Sequence, residues 1–267
     1  MPDIRPPAVA GRFYPAEPAH LAHEVDDLLR AAAVSDELAP KVLLAPHAGY
    51  VYSGPVAASA YARLRSVAER IRRVVLLGPA HRVLVRGLAL PDAAALATPL
   101  GVVPVDQEAL RTANALPQVS MSEAAHAFEH SLEVQLPFLQ RILNDFSIVP
   151  LAVGEASPDE VAQVLECLWG GAETLIIISS DLSHYLPYSI AQRTDQETAA
   201  QILALGPRPL SHEQACGATP LNGLSQIARA RGLRAQLLDL RSSGDTAGPR
   251  DQVVGYSAFA FYETYAR

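Results

Sequence analysis

TLIIISSDLSHY, residues 174–185, is the stretch whose reading decides the fold. Leu175 to Ile178 is an unbroken apolar run with three consecutive β-branched residues, too short for a typical helix. Such a run reads as a strand covered on both faces, as in the interior of a parallel sheet. It stops at Ser179-Ser180, and Asp181 and His184 follow at once. In open α/β sheets, ligands gather beyond the carboxyl ends of the strands. A carboxylate and an imidazole directly after such a strand therefore stand where chemistry is done.

Working outward, two more apolar runs end in the same way. KVLLAP (41–46) leads into His47 of PHAGYVYSG, and RVVLLGP (73–79) leads into His81 of GPAHR. If the three strands are parallel neighbours, one crevice receives three imidazoles and a carboxylate. That composition suits a transition metal or general acid/base work.

Helical patterns separate the strands. Leu21, Val25, Leu28, Leu29 and Ala32 predict an amphipathic helix from His20 to Ala33. A second helix is expected from Pro55 to Val67, with Pro55 in its first turn. A third is expected from Ser131 to Leu143, distorted by Pro137. Others are read over Pro158–Trp169, Ile190–Leu205, and from Thr219-Pro220 to Arg231. GLALP, GVVPVD, SIVPLAV, AQLLDL and VVGYSAFAFY complete the strands, the last flanked by turns that suit an antiparallel neighbour. The alternation predicts one three-layer α/β/α domain over residues 1–267, with a mostly parallel or mixed central sheet.

Bulk properties exclude several classes. A net charge of −7 with no basic run argues against nucleic-acid binding. With 49% hydrophobic and 18% charged residues, a sizeable core is expected. No apolar run is long enough to span a bilayer. Two cysteines make no disulfide framework, and the N-terminal residues lack the apolar region of a signal peptide, so a cytoplasmic location is expected. Dinucleotide, P-loop and nucleophile-elbow signatures are missing.

Further candidates are less specific. Cys216 precedes Gly217 and a predicted helix N-terminus, where thiol pKa falls and metal ligation is favoured; a small buried hydrophobe is an equal reading. Cys167 reads as core. In FEHSLEVQLP, either His130 enters the pocket as an acid/base or Glu129 and Ser131 cap a helix; the first is favoured. His20, His23, His126 and His212 read as surface residues.

PAVAGRFYP, PHAGYVYSG, GPAHR, EHSLEVQLPFL, SSDLSHY, ACGATPL and DQVVGYSAFAFYE, taken in this order, resemble the MEMO family, whose bacterial and archaeal members are labelled protein B of the AmmeMemoRadiSam system. The resemblance implies a fold similar to class III extradiol dioxygenases. It implies a metal site of His47, His81 and Cys216 holding iron or copper. Asp181, His184 and His130 would line the same pocket, His184 as an acid/base oriented by Asp181. It also implies radical-SAM and AMMECR-type partners. A thiolate in place of the dioxygenases' carboxylate is softer and oxidisable, so ring cleavage does not carry over.

Three functions compete on this reading. The first is a metal-dependent, dioxygenase-like redox enzyme. The second is a non-catalytic module that binds a metal, a small molecule or a peptide beside a radical-SAM partner. The third is a metal-free hydrolase built on the Ser, Asp and His of SSDLSH.

Overall fold

The computed structural model describes residues 3–33 and 39–264. Strand β1 (Ile4–Arg5) precedes helix α1 (Pro18–Ala31). Then come β2 (Val42–Ala45), α2 (Tyr50–Tyr61), β3 (Arg73–Pro79), β4 (Leu88–Leu90), β5 (Ala95–Thr98), β6 (Gly101–Pro104), α3 (Gln107–Asn114), β7 (Val119–Met121) and α4 (Glu123–Ala127). The remainder runs α5 (Leu136–Ile142), β8 (Ser147–Val153), α6 (Pro158–Cys167), β9 (Thr174–Ser179), β10 (His184–Leu186), α7 (Tyr188–Ala204), α8 (Ala218–Ala230), β11 (Arg234–Ser242), α9 (Ser243–Thr246) and β12 (Val253–Tyr262).

The main sheet has the order β10-β12-β2-β9-β3-β8-β4-β7, with β11 also paired to β12. At its centre β2, β9, β3 and β8 are parallel, so the three strands that end in functional candidates are neighbours. The register places Leu43 beside Ile177, Ile177 beside Leu76, and Leu76 beside Pro150. Every residue of β9 is buried, as its sequence predicts for a strand covered on both faces. β12 runs antiparallel to β2 and β11, which makes the sheet mixed. A separate three-stranded sheet, β1-β5-β6, takes up the GVVP segment.

Helices flank the sheet. α1 begins at Pro18 behind the carboxylate of Glu17, which accepts the amides of Ala19 and His20. Leu21, Val25 and Leu29, spaced four apart, form its buried stripe. Burying each such side chain contributes about 1.5–3 kcal/mol. α1 packs with α2 and α5, whereas α8 packs on α6 and β3. α6 opens with a reciprocal Ser157–Glu160 capping box and Pro158 in the first turn.

Four sequence expectations need correction. Helix α2 starts at Tyr50, not Pro55, so Pro55 lies inside it. The amide that proline lacks would have bonded the carbonyl of Val51, a residue on the exposed face of the helix. The expected helix from Ser131 is a 3-10 turn at Glu133–Gln135 followed by α5, with Pro137 at its start rather than its middle. The helix after Cys216 begins at Ala218 behind Gly217, one residue before the expected Thr219 cap. Cys167 is exposed: it is the last residue of α6, while Val161, Val164 and Leu165 form the buried face. Among the described residues no helix is long and apolar enough to cross a membrane.

Candidate metal centre

The strand ends converge. Ala45 and Ser179 are level across β2 and β9, so His47 and Asp181 emerge side by side. The Asp181 carboxylate accepts the backbone amide of His47 at 2.7 Å. Cys216 arrives from the other direction. Its amide donates to the carbonyl of Asp181, and its Sγ accepts the Asp181 amide at 3.3 Å. Gly217 makes this approach possible: a β-carbon there would lie 2.6 Å from that of Ser180. The Gly217 amide donates instead to Ser180 Oγ.

Donor atoms of His47, His81 and Cys216 all lie within 4.8 Å of one another. His47 Nε2 and Cys216 Sγ are 3.3 Å apart. In a tetrahedral site with metal–nitrogen bonds of about 2.0–2.1 Å and metal–sulfur bonds of about 2.3 Å, such donors are spaced by about 3.5 Å. The pair is therefore at coordination spacing.

Hydrogen bonding behind each imidazole fixes which nitrogen faces inward. Ser179 Oγ donates to the carbonyl of Ser131 at 2.6 Å and accepts Gln135 Nε2 at 2.8 Å. Its one proton is spent, so the 2.9 Å contact to His47 Nδ1 must be an Nδ1–H donating to oxygen. His47 Nε2 is left with its lone pair facing Cys216. His81 Nδ1 lies 2.9 Å from a Glu129 oxygen, a carboxylate that only accepts, which frees His81 Nε2 in the same way. Glu129 also takes the amides of His81 and Ser131. A second possible cluster, His81, Glu129 and His130, is thereby disfavoured, because the Glu129 oxygens are already engaged.

Electrostatics follow burial. His47 is held well below the usual imidazole range by burial and then by its histidine neighbours. Burial alone would raise Glu129, but the hydrogen bonds and charge of His81 bring it down to about 2. Asp181 is raised to about 6, chiefly by burial. Burial and then the Asp181 carboxylate push Cys216 up to about 12. The expectation of a lowered thiol is therefore corrected: desolvation outweighs the helix terminus. A thiol in this setting ionises when a cation supplies compensating charge.

His130 joins the cluster, with ring centroids 4.7 Å from His81 and 5.5 Å from His47. Burial brings its pKa down to about 4, and its Nδ1, 3.4 Å from a Glu129 oxygen, makes no hydrogen bond among the described residues. His184 also lines the pocket, but its Nδ1 donates to the carbonyl of Leu182 at 2.8 Å, so Asp181 does not orient it. His126, read as a surface residue, is buried with Nε2 at the carbonyl of Ala89.

The N-terminal PAVAGRFYP segment acts as a buttress. Fully buried Glu133 accepts Arg5, the amides of Ala8 and Val9, and the Tyr14 hydroxyl. Arg5 in turn donates to the carbonyls of His126 and Glu129. The loop bearing Glu129 and His130 is thus fixed from below.

The site opens into two cavities. One of about 600 Å³ carries His47, His81, His130, Asp181 and His184. The other, about 1050 Å³, reaches Cys216 along a largely apolar wall.

A mixed α/β sheet whose parallel strands deliver two histidines to one crevice, where the turn before α8 adds a cysteine, defines the class. The sequence matches the family described as Memo-like protein over residues 5–260. It is 36% identical to a MEMO1 family protein of Aquifex aeolicus, over 97% of this chain and 99% of that one. It is 34% identical to a MEMO1 family protein of Saccharolobus solfataricus, over 96% and 99%, and 35% identical to one of Ignicoccus hospitalis, over 97% and 98%. The chain belongs to the Memo-like family.

Proposed function

We propose that this chain is a metal-dependent, dioxygenase-like redox protein whose ion, iron or copper, is held by His47, His81 and Cys216. The observation that carries this reading is the pair of imidazoles locked in one tautomer, with donor atoms of both and the Cys216 sulfur all within 4.8 Å of one another. Tautomer locking by a second hydrogen bond is the usual support for a metal-ligating histidine. A thiolate with two imidazoles suits copper or an electron-rich iron better than a hard cation. When bound, the ion would supply redox chemistry and Lewis acidity at the cavity floor.

The chain's own groups supply the rest. His184 keeps Nε2 free while Nδ1 is tied to Leu182, so it can take or give a proton in the cavity. Asp181, which burial raises to about 6, holds the His47 backbone amide in place. Burial of His47 keeps the site dry on its inner side.

Metal analysis after anaerobic purification tests the reading. Wild type should carry near-stoichiometric iron or copper, and His47→Ala and Cys216→Ser should each lose it at least about tenfold. Metal content indifferent to both changes would sink the proposal.

A second reading is a binding module for a small molecule or peptide, acting beside radical-SAM and AMMECR-type partners. The exposed apolar rim of Leu84, Tyr185 and Ile190 on the larger cavity favours it. Oxygen uptake with catechol-type and peptide substrates separates the two. Turnover that His184→Ala abolishes counts against a pure binder.

A further inference from the structure

Among the described residues, two that are not glycine adopt a left-handed backbone: Leu205 at φ 48° and Tyr185 at φ 57°. Leu205 caps the C-terminus of α7, a position that calls for this conformation, and its side chain is buried. Packing there offsets the backbone cost. Tyr185 has no such compensation. Its side chain is 68% exposed, and its one ring neighbour is His184 at 5.9 Å.

The register explains the conformation. His184 stands opposite Val254 and Leu186 opposite Val253, so Tyr185 is the extra residue of a bulge between β10 and β12. A left-handed bulge residue is ordinarily glycine, and bulges beside functional sites serve to re-aim a side chain. Strain that local packing does not offset points to a role for the side chain it presents. Here the bulge sets the Tyr185 phenol where both cavities meet, since Tyr185, His81 and His184 line each of them.

Charge supplies an independent observation. In the smaller cavity, the Asp181 carboxylate is buried and engaged by the His47 amide. Arg82, from the turn after β3, lines the same cavity, and its guanidinium has no hydrogen-bond or ion-pair partner among the described residues. Arg82 therefore brings an unpaired positive charge to the rim of this cavity. A guanidinium is suited to planar, bidentate recognition of a carboxylate.

We propose that Tyr185 and Arg82 recognise a planar organic anion, the ring face of Tyr185 stacking on its flat body and Arg82 pairing with its carboxylate. This deepens the metal reading by naming a ligand class for the same crevice, but the recognition itself needs no ion.

Calorimetric titration of the full chain tests it with three probes: benzoate, cyclohexanecarboxylate of equal charge but no flat ring, and benzamide, flat but neutral. Wild type should bind benzoate tightest. Tyr185→Asn, which tolerates the left-handed backbone, should lose about two- to tenfold in benzoate affinity, the scale of aromatic stacking. It should also abolish the preference over cyclohexanecarboxylate, and its melting temperature should be unchanged or higher. Tyr185→Phe should restore both affinity and preference. Arg82→Gln should cost about tenfold or more for benzoate, with benzamide unaffected. Benzoate binding that is undetectable, or equal in wild type and Tyr185→Asn, overturns the proposal, as does a clear drop in that variant's melting temperature. A wild type that holds no iron or copper yet binds benzoate through Tyr185 overturns the metal reading alone. A metal-bearing wild type whose benzoate affinity ignores both residues overturns this inference alone.

Discussion

His47 and His81 present the same nitrogen to the same crevice but are held by opposite means. His47 is 2% exposed, and a neutral relay backs it: Tyr61 to Gln135, Gln135 to Ser179, Ser179 to the Ser131 carbonyl. His81 faces solvent, and a buried carboxylate backs it. A neutral relay sets direction without changing charge. A carboxylate sets direction and adds a pH-dependent contribution to stability. The buried imidazole thus has the orienter that carries no charge, and the exposed imidazole has the charged one.

The largest effect is expected at Glu129. Glu129→Ala strips three N–H donors of their acceptor, and breaking a buried charged network of this kind costs about 3–5 kcal/mol. Iron or copper retention should fall about 10- to 100-fold. Because the folded carboxyl is depressed to about 2, its contribution is fully present above the unfolded value near 4.5 and is lost as pH falls toward 2. That contribution is about 3 kcal/mol. Denaturant titrations of the metal-stripped chain between pH 5 and 2 should therefore show a steep acid limb in wild type and a flatter one in Glu129→Gln. An identical slope in both would break the contrast between the two histidines.

Ser179→Ala should do less and leave that acid limb alone. It removes the acceptor for His47 Nδ1–H and Gln135 Nε2 together with the donor to Ser131. Leaving such buried groups unpaired costs about 2 kcal/mol. Metal affinity should fall about tenfold, as His47 becomes free to carry its proton on Nε2. Metal titration followed by absorbance checks the affinity. A loss as large as that of Glu129→Ala would show that charge is not what separates the two supports.

These supports differ also in how far they can be read from sequence. His47, His81 and Asp181 are legible because each follows an apolar run too short to be anything but a buried strand, and parallel strands share one functional end. Ser179 stands inside the TLIIISS run, yet nothing local says that its hydroxyl would meet Gln135 and His47, which are far away in sequence. Glu129 reads as part of a local pair or a cap because its neighbours are His130 and Ser131; its main partner, His81, is 48 positions away. Cys216 was legible as a position, but its ionisation was not, since the helix-terminus argument omits the burial that dominates it. The pocket position of His184 is legible, but its support is not, because its Nδ1 bonds the Leu182 carbonyl two residues back rather than Asp181.

The smallest effect is expected at the far end of the neutral relay. Tyr61 is fully buried, stacks on Phe138 with ring centroids 5.0 Å apart, and donates its hydroxyl to Gln135 Oε1 at 2.7 Å. Tyr61→Phe keeps the ring packing and removes only that bond, a loss of about 1 kcal/mol. Gln135 Nε2 remains held by the carbonyl of Pro46 and by Ser179 Oγ, so the amide has reason to keep its orientation. A flipped amide would set its oxygen against the Pro46 carbonyl. Ser179 therefore still gives its proton to Ser131, and His47 stays protonated on Nδ1. Nitrogen-15 spectra of the imidazoles in the metal-stripped variant should report the Nδ1–H form at His47 unchanged. An Nε2–H signal there would mean that tautomer control reaches through three residues to a single buried hydroxyl, and that the neutral support is less robust than the charged one.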